Sequence, residues 1–215
     1  MRFKAAIFDL DGTLLDSMTI WSSLPRKFLL RYNIDQEIDL DGKLGVISMH
    51  NALEYLINEF SLPVTLETAY RQTWQIVEEF YRSEAQIKPG IKAVLDCLQQ
   101  YDIPCGVITA TETGLVVPAL ERVGLRSYFK EIFSCAEMRT SKRTPDVFFQ
   151  MSGILGAAPT DTIVFEDALY AAATAKKAGY SVAAVYDPSE KNPAGLQEQS
   201  DWYCRDWVDF PLEEL

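Results

Sequence analysis

Lys4-Ala5-Ala6-Ile7-Phe8-Asp9-Leu10-Asp11-Gly12-Thr13 decides how the rest of the chain is read. Ala5 to Phe8 is a short apolar run of the kind that forms a buried strand. It ends in two carboxylates one residue apart, Asp9 and Asp11, and Gly12 then permits a sharp turn. Two acids at the end of a buried strand are costly: at ~4 Å and an effective dielectric near 20, like charges repel by about 4 kcal/mol. A fold tolerates them where a cation or a chemical task offsets the repulsion. In an open α/β sheet the carboxyl edge is also where ligands bind.

The tetrapeptide by itself is a weak signal. Asp39-Leu40-Asp41-Gly42 repeats it letter for letter, but follows Asp35-Gln36-Glu37-Ile38, which contains no apolar strand. The second copy therefore reads as a solvated turn. Neither copy suits a calcium EF-hand, whose loop wants Gly at its sixth position and Glu at its twelfth. Counting from Asp9 gives Leu14 and Ile20, and counting from Asp39 gives Leu44 and His50.

Beyond the first strand the texture changes twice. From about 17 to 84 it is helical: Trp21, Leu24, Phe28, Leu29 and Tyr32 share a helical spacing, as do Leu53, Leu56, Ile57 and Phe60, then Tyr70, Trp74, Val77 and Tyr81. Ile87-Lys88-Pro89-Gly90 punctuates the chain, and helices then alternate with strands. Helices are expected at about 90–101, 112–123, from a Thr144 cap and Pro145 to 155, and at 168–178. Strands are expected at 106–108, 131–134, 162–165 and 182–185. This alternation implies a parallel sheet covered by helices. The fold expected is α/β: a Rossmann-like parallel-sheet core from residues 1–16 and 86–215, with a small all-helical cap, residues 17–85, inserted after the first strand. Hinges are expected near 14–17 and 84–90, with the cap closing over the active edge to exclude water.

Composition narrows the function. The 215 residues are 48% hydrophobic, enough for a real core, and the formal net charge is −11. That charge argues against a nucleic-acid or anionic-membrane partner, yet leaves room for an anionic substrate where a metal or local cations reverse the field. Cys97, Cys105, Cys135 and Cys204 are scattered, so reduced thiols are expected. The four apolar residues before Asp9 are too few for a secretory signal, and no stretch approaches the ~20 apolar residues of a membrane span. A soluble cytoplasmic protein, without a nucleic-acid or membrane partner and monomeric, is expected.

Three expected strand ends carry polar groups of matching purpose. The first offers Asp9 and Asp11, the second Thr109-Ala110-Thr111, and a later one Glu166-Asp167, while Lys142 lies between the last two. Acids from separate strands can bind Mg²⁺, which favours oxygen ligands and keeps water and phosphate in its shell. A hydroxyl and a lysine can hold phosphoryl oxygens.

In these motifs, taken in order, the sequence resembles the haloacid dehalogenase-like hydrolases, in the β-phosphoglucomutase and phosphoglycolate phosphatase-like branch with a helical cap. The matches are Asp9-Leu10-Asp11-Gly12-Thr13, Thr109, Lys142 before Pro145-Asp146, and Phe165-Glu166-Asp167. The third motif more often begins Gly-Lys-Pro, where this chain has Ser141-Lys142-Arg143, so only the lysine carries over. The resemblance implies a phosphatase acting on a small phosphorylated metabolite, a sugar phosphate or a phosphoglycolate-like compound. Asp9 would attack phosphorus, giving an aspartyl-phosphate, and Asp11 would serve as acid and then base. Mg²⁺ would be held by Asp9, by Asp11 through its carbonyl, and by Asp167, with Glu166 in support. Thr109, Ala110 and Lys142 would bind the phosphoryl group.

Taken singly, several of these residues have plainer readings. Glu166 and Asp167 alone could be charges favoured at a helix N-terminus. Thr109 alone is a turn residue and Lys142 a surface lysine; membership of the set raises both. His50, the only histidine, is read as structural or solvent-facing, and Trp21 as core. Arg139 and Arg143 stay open between solvated and substrate-facing. The alternatives are a phosphosugar mutase and a non-catalytic phosphate-binding scaffold. The mutase branch resembled here carries a cap histidine where this chain has Trp21, and an arginine that Leu44-Gly45-Val46-Ile47-Ser48-Met49 lacks. The intact acids oppose the silent scaffold.

Overall fold

The computed structural model describes residues 2–38 and 49–215. The second Asp-Leu-Asp-Gly copy and residues 44–48 lie outside the described residues. The chain divides into two compact units, Met1–Met18 with Ala85–Leu215, and Thr19–Glu84.

In the larger unit β1 (Ala5–Phe8) is followed by the two-residue β2 (Leu15–Asp16), which pairs antiparallel with β3 (Gln86–Ile87). The chain thus leaves for residues 19–84 and returns from them along the two sides of one ribbon. The smaller unit contains α1 (Thr19–Leu30), α2 (Met49–Glu59) and α3 (Leu66–Glu79), the last running into a π-helical turn, Phe80–Glu84. Thr65 caps α3, its side chain accepting from the Thr68 N–H at 3.3 Å.

After the ribbon come α4 (Ile91–Gln100), β4 (Cys105–Thr109), α5 (Thr113–Arg122) and β5 (Phe129–Ser134). Then follow α6 (Asp146–Leu155), β6 (Thr162–Glu166), α7 (Leu169–Lys177) and β7 (Ser181–Val185). The unit continues through α8 (Pro193–Glu198) and β8 (Trp202–Cys204). Six strands form one sheet in the order β5-β4-β1-β6-β7-β8, with every neighbouring pair parallel. This is the α/β, Rossmann-like parallel sheet with flanking helices that the alternation predicts.

β1 lies inside the sheet, and all four of its residues are buried, as a parallel strand covered on both faces requires. Its side chains alternate. Ala5 and Ile7 join a cluster with Val147, Met151, Val164 and Ala172. Phe8 lies among aromatic rings: Phe165 stacks on it at 4.5 Å, and Trp207 lies 6.0 Å from it. Such pairs add about 0.5–1.5 kcal/mol beyond the burial of their area. Gly106 lets α6 come close to β4, since a β-carbon there would meet Met151 Sδ at 2.3 Å.

Several sequence expectations need correcting. α6 begins at Asp146, and its cap position is Pro145, which makes no side-chain cap bond; the Thr144 hydroxyl instead faces the Ser141 carbonyl. α3 buries Ala69, Thr73, Ile76 and Val77, and Tyr81 just beyond it is buried too, while Trp74 is 41% exposed, so Val77 and Tyr81 of the expected stripe face inward and Trp74 does not. Trp21 is half-buried rather than core. Other expectations stand: His50 is exposed, as the solvent-facing reading has it, and faces Glu54 one helical turn on, at 3.5 Å. All four cysteines are free, as expected.

Candidate functional site

The order of the sheet places the site. β1 has β4 on one side and β6 on the other, so the chain's two directions of travel separate at β1's carboxyl end. Crevices at such switch points receive ligands. The Asp9 N–H continues the ladder by donating to the Phe165 carbonyl at 2.9 Å, which aligns the end of β1 with the end of β6.

Beyond Asp9 the backbone closes a tight loop. Leu14 and Leu15 N–H groups both donate to the Leu10 carbonyl at 2.9 Å, and the Gly12 N–H donates to the Leu15 carbonyl at 2.9 Å. Gly12 sits at φ +92°, and a β-carbon there would lie 2.2 Å from Asp167 Oδ2. Absence of a side chain at 12 is what lets the β6 acid approach. The loop is pinned from behind: the Trp207 indole N–H donates to the Thr13 carbonyl at 2.9 Å.

Asp9, Glu166 and Asp167 form a buried cluster whose carboxylate oxygens lie within 4.8 Å of one another. Lys142 comes in from the loop before α6 and is only 5% exposed; its ammonium donates to Asp9 Oδ1 and to Glu166 Oε1. The other oxygen of Glu166 accepts from the Asp167 N–H at 2.8 Å and the Ala168 N–H at 3.3 Å. Glu166 therefore fixes both the lysine and the turn that carries Asp167. The Thr13 hydroxyl donates to Asp167 Oδ1 at 3.3 Å.

The electrostatics follow from three carboxylates facing one ammonium. Burial, with the charges of Glu166 and Asp11, pushes Asp9 up to about 7 against the pull of Lys142. Burial likewise holds Asp167 well above the usual carboxylate range, with Asp9 and Glu166 adding to it. Lys142 is held above its ordinary value: burial alone would lower it, but Asp9 and Glu166 outweigh burial.

Asp11 stands apart from this cluster. Its carboxylate accepts from three hydroxyls: Ser17 at 2.6 Å, Thr111 at 2.7 Å and Thr109 at 3.4 Å. The Thr109 hydroxyl also accepts from the Thr111 N–H at 3.0 Å. Ala110, between them, is exposed. The structure thus brings together Asp9, Lys142, Glu166 and Asp167, and groups Asp11 with Thr109. Thr111 and Ser17, to which the sequence reading gave no role, complete the setting of Asp11. Thr111 was visible as a second hydroxyl two residues after Thr109; Ser17 carried no local signal.

The donor set fits a small divalent cation. It is all oxygen, it is rich in carboxylates, and Asp9 Oδ2 is buried without a hydrogen-bond partner among the described residues. A buried carboxylate oxygen left unpaired is costly, and a cation is the partner it lacks. Mg²⁺ favours one or two carboxylates together with waters and phosphate oxygens.

Residues 6–185 match the family model described as haloacid dehalogenase-like hydrolase. A phosphorylated carbohydrates phosphatase of Thermotoga maritima is 22% identical over 176 residues, covering 82% of each chain. A fructose-1-phosphate phosphatase of Escherichia coli is 27% identical over 183 residues, covering 83% of this chain and 94% of the relative. Among solved structures, one from Thermotoga maritima, provisionally assigned as a beta-phosphoglucomutase, superimposes with a TM-score of 0.84 at 20% identity and covers 95% of each chain.

Proposed function

The chain belongs to the haloacid dehalogenase-like hydrolases and is a phosphatase-type hydrolase of that family, and we propose that it hydrolyses a small phosphorylated metabolite with Mg²⁺ through an aspartyl-phosphate on Asp9. The observation that carries this reading is the convergence of Asp9, Glu166 and Asp167 at the carboxyl edge of the sheet, with Lys142 paired to Asp9 and Glu166. Asp9, Asp167 and, in support, Glu166 would hold the cation, with the Asp11 main-chain carbonyl beside them. Bound there, Mg²⁺ supplies charge neutralisation at the phosphoryl oxygens.

The rest is the work of this chain's own side chains. Asp9 forms a bond to phosphorus as the ester P–O bond breaks. Asp11 delivers a proton to the departing oxygen, then takes one from the water that attacks phosphorus, releasing phosphate and restoring Asp9. Lys142 faces the phosphoryl charge and keeps Asp9 aimed, since its ammonium is gripped from the other side by Glu166. Thr109, with Ala110, offers donors to the phosphoryl group. Uncatalysed phosphate-monoester hydrolysis is so slow that accelerations reach ~10²¹, so nucleophile, acid, clamp and cation all have to contribute.

The same proposal includes a cap role for residues 17–85, a monomeric state, a cytoplasmic location and no nucleic-acid or membrane partner. Among the described residues no helix is long and apolar enough to cross a membrane. A screen of phosphorylated sugars and short phospho-acids with Mg²⁺, run beside Asp9→Asn, tests the reading. Release of phosphate by the natural chain, lost in the folded variant, supports it; no release from any compound rejects it.

A further inference from the structure

Arg143 follows Lys142 directly, yet the two side chains have different surroundings. Lys142 is buried and committed to Asp9 and Glu166, whereas Arg143 is exposed. Its place is nevertheless fixed. The Arg143 N–H donates to the Ser141 hydroxyl at 3.3 Å, and its guanidinium carbon lies 4.4 Å from the centroid of the Tyr170 ring. Tyr170 belongs to the first turns of α7, three residues after Asp167. Its phenol is raised by burial and also senses Lys142, Glu166 and Asp9. The ring that holds the guanidinium thus also feels the charges of Lys142, Glu166 and Asp9.

A guanidinium stacked on a ring face keeps its N–H donors directed outward in its own plane, a fork that matches a carboxylate or a phosphate. Among the described residues no carboxylate pairs with the Arg143 side chain, although the chain has 31 acids against 20 lysines and arginines. Arg139, in the same connection, is exposed, and among the described residues no ring lies under it as Tyr170 does under Arg143.

We propose that Arg143, held by Tyr170, is a specificity residue that binds a second anionic group, a carboxylate or a phosphate, on the part of the substrate that departs. The transferred phosphoryl group has Lys142; Arg143, next in the chain and held over the ring of Tyr170, is assigned to the remainder of the substrate. This inference rests on the phosphatase reading and narrows it to substrates carrying two anionic groups. Tyr170 acts through Arg143 and is a positioning residue.

The test uses the full chain with Mg²⁺ and three probes: glycerol 1-phosphate with a neutral leaving group, 2-phosphoglycolate with a carboxylate, and fructose 1,6-bisphosphate with a phosphate. Arg143→Ala should lower kcat/KM at least tenfold for one anionic probe, chiefly through KM, and leave glycerol 1-phosphate within twofold. Which anionic probe responds tells carboxylate from phosphate. Tyr170→Phe, which keeps the ring, should match the natural chain; Tyr170→Ala should match Arg143→Ala, and the double variant should be no worse. The same contact is read without turnover by calorimetry of the three probes on Asp9→Asn, with and without Arg143→Ala. Tenfold weaker binding of an anionic probe alone supports the proposal. Equal loss for all probes, no loss, or no binding of either anionic probe overturns it, whether or not the natural chain hydrolyses any of them.

Discussion

Gly12 lies directly beneath Asp167: any β-carbon at position 12 would come within 2.2 Å of Asp167 Oδ2. The first strand's loop and the β6 acid are therefore fitted to each other across 155 residues of sequence. Gly12→Ala sets two penalties together. The φ of +92° costs an alanine about 1–2 kcal/mol, and Asp167 must move away from Asp9. Mg²⁺ affinity measured by calorimetry should fall at least tenfold while the far-ultraviolet circular dichroism spectrum stays native. Unchanged affinity would show that Asp167 does not need its present position.

Thr111 predicts a defect in rate rather than in binding. Its hydroxyl donates to Asp11 Oδ2 at 2.7 Å, and Asp11 is the proposed proton donor. General acid catalysis is worth roughly 10²–10⁴-fold, and a mispositioned acid forfeits part of that. Thr111→Val should lower kcat about 10–100-fold with KM within about threefold, and Thr111→Ser should restore most of it. Steady-state kinetics on whichever substrate the screen identifies will tell. A change confined to KM would place Thr111 in substrate binding instead.

Asp9 links pH to metal. Its carboxyl is pushed from 3.8 to about 7 by burial, with Glu166 and Asp11 adding to it. In the metal-free chain the folded state thus keeps a proton that the unfolded state gives up, so stability declines as pH rises between those two values. Mg²⁺ needs the carboxylate and must displace that proton, so its binding weakens as pH falls below 7. Thermal melts should show a Mg²⁺-induced rise in Tm that grows with pH across this range. A rise of the same size throughout would mean that Asp9 is not a ligand.

Lys88 and Asp187 make a prediction about stability. The Lys88 ammonium donates to Asp187 Oδ2 at 2.8 Å and to the Tyr186 carbonyl at 2.9 Å, and Asp187 is 1% exposed. Burial by itself would raise Asp187, but the bonds from Lys88 and Ser189 hold it below the usual carboxylate range. Removing one partner of a buried pair costs about 3–5 kcal/mol, because the other charge is stranded. Lys88→Met should lower the unfolding free energy by about that much near neutral pH in urea titrations. Since Asp187 is depressed, its contribution is present at neutral pH and fades as acid protonates it. A loss below about 1 kcal/mol would mean that solvent reaches the pair.

Much of the architecture could be read in advance because it rests on local pattern. The apolar run before Asp9, the Gly12 turn and the strand–helix alternation after Gly90 each reflect burial within a few residues. What escaped depends on distant partners. β2 and β3 are two residues each, too short for any periodicity, and exist by pairing across Leu15 and Ile87. β8 is a three-residue edge strand set by its register on β7. Lys88 and Asp187 lie 99 positions apart and carry no local sign of each other. On α3, Val77 faces inward as the spacing implies, but Trp74 is exposed, and the small Ala69 and Thr73 that are buried instead carry no sign in a pattern of large residues.

At the site, the acids and, through the family resemblance, their expected tasks were legible, but not the partners each would meet. Asp9 and Asp11 are two letters apart and end in different company: Asp9 with the ammonium of Lys142, Asp11 among hydroxyls. A continuing strand would put both on one side; β1 ends at Phe8 and the loop that turns at Gly12 separates them, so only the folded chain shows which partners wait for each.

The indole of Trp207 ties the Thr13 carbonyl, in the loop that follows Asp9, to a residue almost two hundred positions downstream. A ribosome that has delivered the first strand, and even both acids of β6, has not yet delivered the prop behind that loop. The loop around Gly12 therefore gains this tie only near the end of synthesis, and a chain released early carries Asp9, Lys142, Glu166 and Asp167 without it.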